Sequence, residues 1–164
     1  MKTILRAALA GGFSGGAIDL AYAMIASYFI SHMMPDALLR VIAGGLFGRA
    51  IIADGGLGYA ALGAVLHFGI AVIMALAFCG ASSFVPILLR FWFVSGPLYG
   101  AVLYLTMNYV VLPLSALAVT KHPEGWRMAG ELVSHMAGVG PAIALSARLI
   151  MGRGWQPTTA RAPM

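Results

Sequence analysis

Few side chains in this sequence could do chemistry, and most of them stand inside long apolar runs. Glu131 and His135 are four residues apart, so they share one face of a helix. His67 and Asp19 each stand alone in an apolar stretch, and Asn108 has Tyr104 one turn before it on the same face. A carboxylate and an imidazole on one face can pass a proton, ligate a metal or simply hydrogen-bond. With His67 opposite, two histidines and the Glu131 carboxylate would make a divalent-metal site. His67 and His135 are the only histidines within the apolar runs, and a haem b held between them is the other cofactor reading. The plain reading is structural: His135 bonds a backbone carbonyl or a tyrosine, and Glu131 reaches water. For Asp19 a neutral, hydrogen-bonded form is expected. His32 with Asp36, and His122 with Glu124, lie in connecting segments, where a solvated histidine is the ordinary case.

Other chemistries are missing. No G-x-S-x-G, Walker glycine loop or HExxH occurs. Cys79 is the one cysteine, which excludes an intramolecular disulfide, a CxxC pair and a thiolate cluster. The ten methionines are dispersed and read as core filling. No catalytic residue is assigned, and a non-enzymatic protein is expected.

The elements that must position these residues are membrane spans. Hydrophobic residues make up 61% of the 164 and charged residues 9%, against roughly half and a quarter in soluble domains. A soluble fold of this length could not hide so much apolar surface, so the excess faces lipid. A span needs about 20 residues, and four stretches supply it: 7–30, 57–79, 91–112 and 128–149. The runs are continuous rather than alternating, which indicates helices and not a barrel. Asp19 interrupts the first, so an uncleaved helix is expected there in spite of Ala21-Tyr22-Ala23, which imitates a cleavage site. Counted at about 1.5 Å per residue, Asp19, His67, Tyr104, Asn108, Glu131 and His135 form a polar cluster in the middle and in the half away from the termini.

Residues 35–53 follow Pro35 with Leu38, Leu39, Val41, Ile42, Leu46, Phe47, Ile51 and Ile52 at helical spacing, broken by Asp36, Arg40 and Arg49. This predicts an amphipathic interfacial helix between the first and second spans. The fold class is all-α, polytopic, with one transmembrane domain over 1–151 and a flexible tail at 152–164. The terminal side collects Lys2, Arg6, Arg90, Arg148, Arg153 and Arg161, six cations, and the other side four, Arg40, Arg49, Lys121 and Arg127, together with the acidic loop residues. That bias places both termini in the cytoplasm, with a bacterial inner membrane as the setting. The net charge of +5 is thus topological, and nucleic acid is excluded as a partner. Gly11/Gly15, Gly12/Gly16 and Gly96/Gly100 are GxxxG pairs, suited to packing within the bundle. The faces of Gly11, Gly15, Gly96 and Gly100 also offer a seam for a homo-oligomer or a membrane-complex partner. Pro141, in mid-span, predicts a kink or a freed carbonyl near residue 137.

The run His67-Phe68-Gly69-Ile70-Ala71-Val72, the stretch from Gly96 to Pro113, and Glu131-Leu132-Val133-Ser134-His135 resemble the small bacterial inner-membrane proteins of the YagU type over roughly residues 60–150. The family's fourth span likewise opens with a Glu and a His four residues later. Asn108 stands where the family has a histidine in the third span, which weakens a three-histidine metal site. The resemblance implies a four-helix inner-membrane protein connected with envelope or acid stress, and no particular activity. The function expected is therefore proton or small-solute handling by the polar cluster. The alternative is a haem- or metal-bearing, or purely accessory, subunit of a larger membrane complex.

Overall fold

A computed structural model describes residues 1–120 and 124–152. Lys121, His122 and the tail from residue 153 lie outside the described residues. The described chain is all-α: α1 (Lys2–Ser31), α2 (Pro35–Phe47), α3 (Ala50–Asp54), α4 (Leu57–Phe84), α5 (Ile87–Arg90), α6 (Trp92–Thr106), α7 (Leu112–Leu114), α8 (Gly125–Ser134) and α9 (Gly140–Met151). Two π-helical turns, Met107–Val111 and His135–Val139, join α6 to α7 and α8 to α9 into continuous helices. Four helices are long and apolar enough to cross a membrane: α1, α4, Trp92–Leu114 and Gly125–Met151. They outrun the stretches expected from hydropathy because a helix continues into the headgroup zone, where polar and aromatic residues are stable.

Large apolar side chains such as Phe29, Val65, Ile73 and Leu98 face outward, while small ones, Ala7, Ala8, Ala75, Cys79, Ala144 and Ala147, make up most of the core around Phe78, Leu103, Val139 and Ile143. This inversion of the soluble pattern follows from lipid being as apolar as the interior, so that close packing, not burial, joins the helices. The glycine pairs supply it. A Cβ at Gly12 would stand 2.6 Å from the Val72 Cα, and one at Gly11 3.2 Å from the Ile143 Cα. One ridge of α1 therefore lies on α4 and the next on α9. Gly96 and Gly100 in turn receive Pro141, His135 and Met136 of the fourth helix. All four glycines named for a partner face are buried inside the bundle.

The helix expected at 35–53 is two helices. Gly48, at φ +86°, ends α2, its N–H bonding the Gly44 carbonyl, and α3 starts after Arg49. α2 opens on Pro35, whose missing N–H is harmless there. It packs across α4 so closely that the Leu39 carbonyl occupies the space a Cβ would need at Gly63. Arg40 ties the pair together, bonding Asp36 at 2.6 Å and the Ile52 carbonyl at 3.2 Å. Asp36 thus pairs with Arg40 and not with His32, which closes α1 in the left-handed conformation. The Arg40 guanidinium holds the Asp36 carboxyl below the usual carboxylate range.

Candidate functional site

The register of the helix crossings builds the site. Along α1, Gly11 meets Ile143 and Gly15 meets Val139. One further step of four brings Asp19 to His135, and their Oδ1 and Nε2 atoms are 3.7 Å apart. That is an ion-pair separation, longer than a hydrogen bond. On the neighbouring ridge Gly16 lets α4 approach, with Ala71 and Phe68 against it. There the His67 Nε2–H reaches the Gly16 carbonyl at 2.9 Å. Asp19, His67, Tyr104 and His135 all lie roughly 15–18 Å from the ends of their helices opposite the termini. They occupy one level.

Two wide turns flank this level. The N–H of Gly140 bonds the His135 carbonyl and the N–H of Leu112 bonds the Met107 carbonyl, each spanning five residues. Each donor directly precedes a proline, Pro141 or Pro113. A proline has no N–H to give the carbonyl four residues back and crowds it, and the wider turn relieves both. The expected effect of Pro141 near residue 137 therefore takes the form of a π-helical turn. It begins on His135, whose carbonyl sits against Gly100. The other begins beside Asn108.

Between α4 and the third helix lies a chamber of about 740 Å³, within the size range of small-molecule sites. Toward the terminal end the carbonyl of Met74, which lines it, accepts from the Tyr99 hydroxyl at 2.6 Å, and the Phe78 ring tilts against Tyr99. Leu38, Val41 and Ile42 of α2 and Leu114 and Leu117 after the third helix cover the opposite side. The lining is almost wholly aliphatic. The polar side chains on it are those of Asp19, His67, Ser115 and His135.

The predicted cluster is thus partly assembled. Asp19, His67 and His135 meet at the chamber. Tyr104 is buried behind His135, the rings edge to face at 6.0 Å. Asn108 is buried but turned to its own helix, its Nδ2 donating to the Tyr104 carbonyl at 3.1 Å. Glu131 does not line the chamber. It is half-buried one turn beyond His135, within electrostatic reach of Arg127, His135 and Asp19, and of Tyr22 and Tyr104. Among the described residues no three His, Cys, Asp or Glu side chains form a group that could hold a metal ion. His67 and His135 each keep one ring nitrogen after their carbonyl bonds. Tyr22, one turn past Asp19, is a neighbour the polar pattern did not single out, although its spacing from Asp19 was visible.

A second cleft, about 780 Å³, opens at the terminal end beside Ser82, Ser83, Arg90 and Arg148, with Gly152 on its wall. Arg148 is already committed there to the Leu89 carbonyl at 3.0 Å. No family model matches the chain, and no curated protein or solved structure is significantly similar to it.

Proposed function

We propose that this chain is a non-enzymatic inner-membrane protein that holds a small, largely apolar solute inside its bundle. The Asp19–His135 pair is the ionisable anchor of the site. The observation that carries the reading is the chamber: an aliphatic space of ligand size with a carboxylate and an imidazole in its wall. An ionisable pair at membrane depth is costly and is retained where it has work to do. Both termini lie in the cytoplasm on this reading, supported by six cations on the terminal side against four on the other. The resemblance to the YagU type supports the same membrane.

The test is a heat titration of the purified chain in detergent with 1-adamantanol, a compact apolar cage with one hydroxyl. Saturable one-to-one binding, abolished by Ile70→Trp in the chamber wall, is expected. Absence of binding, or equal binding by both chains, overturns the reading. The second reading, a cofactor-bearing subunit, is favoured by one fact: both span histidines line the same chamber. A Soret band or a stoichiometric metal in the purified chain would select it.

A further inference from the structure

The chamber's polar atoms are of one kind, and this names the class of molecule it takes. The inference rests on the solute-binding reading above. The His67 Nε2 bonds the Gly16 carbonyl at 2.9 Å, and the His135 Nδ1 bonds the Glu131 carbonyl at 2.9 Å. A backbone carbonyl can only accept, so each of these nitrogens carries the proton. In the neutral rings the remaining nitrogens, His67 Nδ1 and His135 Nε2, are then acceptors. The Ser115 hydroxyl spends its proton on the Leu112 carbonyl at 2.7 Å, which leaves its lone pairs. Asp19 is an acceptor throughout its ionised form, and among the described residues it accepts no hydrogen bond. The His135 Nε2 stands 3.7 Å from it, beyond hydrogen-bond reach. Its side chain keeps 30% of its exposure, against 12% for His135, and it lines the chamber.

Among the described residues no lysine or arginine lines the space. The charged residues of the covering helix, Asp36 and Arg40, are paired with each other. Arg127 lies near Glu131, outside the chamber. An anion entering here would meet a carboxylate and lone pairs with no donor to receive it. A neutral apolar molecule would leave the carboxylate unmet. A molecule with an aliphatic body and a protonated amine satisfies both parts: the body fills the lining, and the N–H donors reach Asp19 and the imidazole nitrogens.

We infer that the chamber is a site for a hydrophobic ammonium ion, with Asp19 as its counter-ion and His67, His135 and Ser115 as acceptors around it. Binding exchanges the loose Asp19–His135 contact for direct ammonium hydrogen bonds to the carboxylate.

Three compounds sharing one cage test this: 1-adamantylamine, 1-adamantanol and 1-adamantanecarboxylate, titrated into the unmodified chain in detergent near pH 7.5 with detergent alone as the blank. The amine binds about tenfold or more tightly than the alcohol, and the carboxylate binds more weakly than both. Asp19→Asn removes the advantage of the amine over the alcohol. Because the three-compound ranking uses the unmodified chain, it stands even where that variant does not fold. If the carboxylate matches the amine, or the amine keeps its advantage in a folded Asp19→Asn chain, the ammonium assignment is overturned while the chamber reading survives. If none of the three binds, both are overturned.

Discussion

The two halves of the bundle are made from the same helices by opposite rules. In the terminal half, Ala7, Ala8, Ala75, Ala144 and Ala147 are fully buried, and Gly11 and Gly12 bring α9 and α4 onto α1. In the other half, prolines force two wide turns, larger aliphatic side chains face one another, and a chamber is left between α4 and the third helix. Where small residues repeat every four positions, backbones close on each other and leave no chamber between them. Where the ladder is interrupted, space opens and the ionisable side chains gather. Asp19 and His135 stand at the border, one step of the Gly11–Gly15 register beyond the tight half.

Enlarging a side chain separates the halves most sharply. Ala144→Leu and Gly100→Val insert atoms where none fit, the latter against the His135 carbonyl. Each should lower stability by about 3 kcal/mol, read as a fall in the thermal unfolding midpoint in detergent. Ile70→Trp enlarges a side chain on the open side. It should move the midpoint by less than about 1 kcal/mol equivalent while abolishing 1-adamantanol binding. Equal losses of stability in both halves would erase the distinction. Tyr99→Phe removes the bond to the Met74 carbonyl toward the terminal end of the chamber. A cost of about 1 kcal/mol is expected, again from the midpoint.

The smallest effect concerns the cover. Arg40 depresses the Asp36 carboxyl, so the pair stabilises the fold above the ordinary carboxylate value of 3.8, and that contribution fades as pH falls through the lowered value. The midpoints of the unmodified chain and Asp36→Asn should differ slightly at pH 7 and converge in acid. A gap that widens in acid would reverse the sign of the pair.

Much of this was legible in the sequence. Hydropathy and length revealed the four spans, since lipid imposes both, and residue counting set Asp19, His67 and His135 in the middle and in the half away from the termini. Even the Asp19–His135 meeting is latent in Gly11, Gly15 and Asp19, three positions four apart. The partners were legible only in part: His135 meets the backbone carbonyl and the tyrosine expected of it. His67 and Asn108 turn to backbone carbonyls, which every helix offers. Glu131, one regular helical turn before His135, keeps to the chamber's outside. The chamber itself depends on how α2 docks on Gly63 and breaks at Gly48, a tertiary matter that helical periodicity does not encode. The two wide turns carried a signal after all: each is closed by the N–H of the residue before a proline, Pro113 or Pro141.

The central claim is that an apolar cage lodges between α4 and the third helix, and photolabelling with adamantane diazirine followed by peptide mass spectrometry tests it most directly. The carbene reacts where it sits. Label should concentrate on residues 66–74, 103–111 and 38–46 and be displaced by excess 1-adamantanol. Label spread over the outward-facing Phe29, Phe84 and Leu98, undiminished by the competitor, would contradict it.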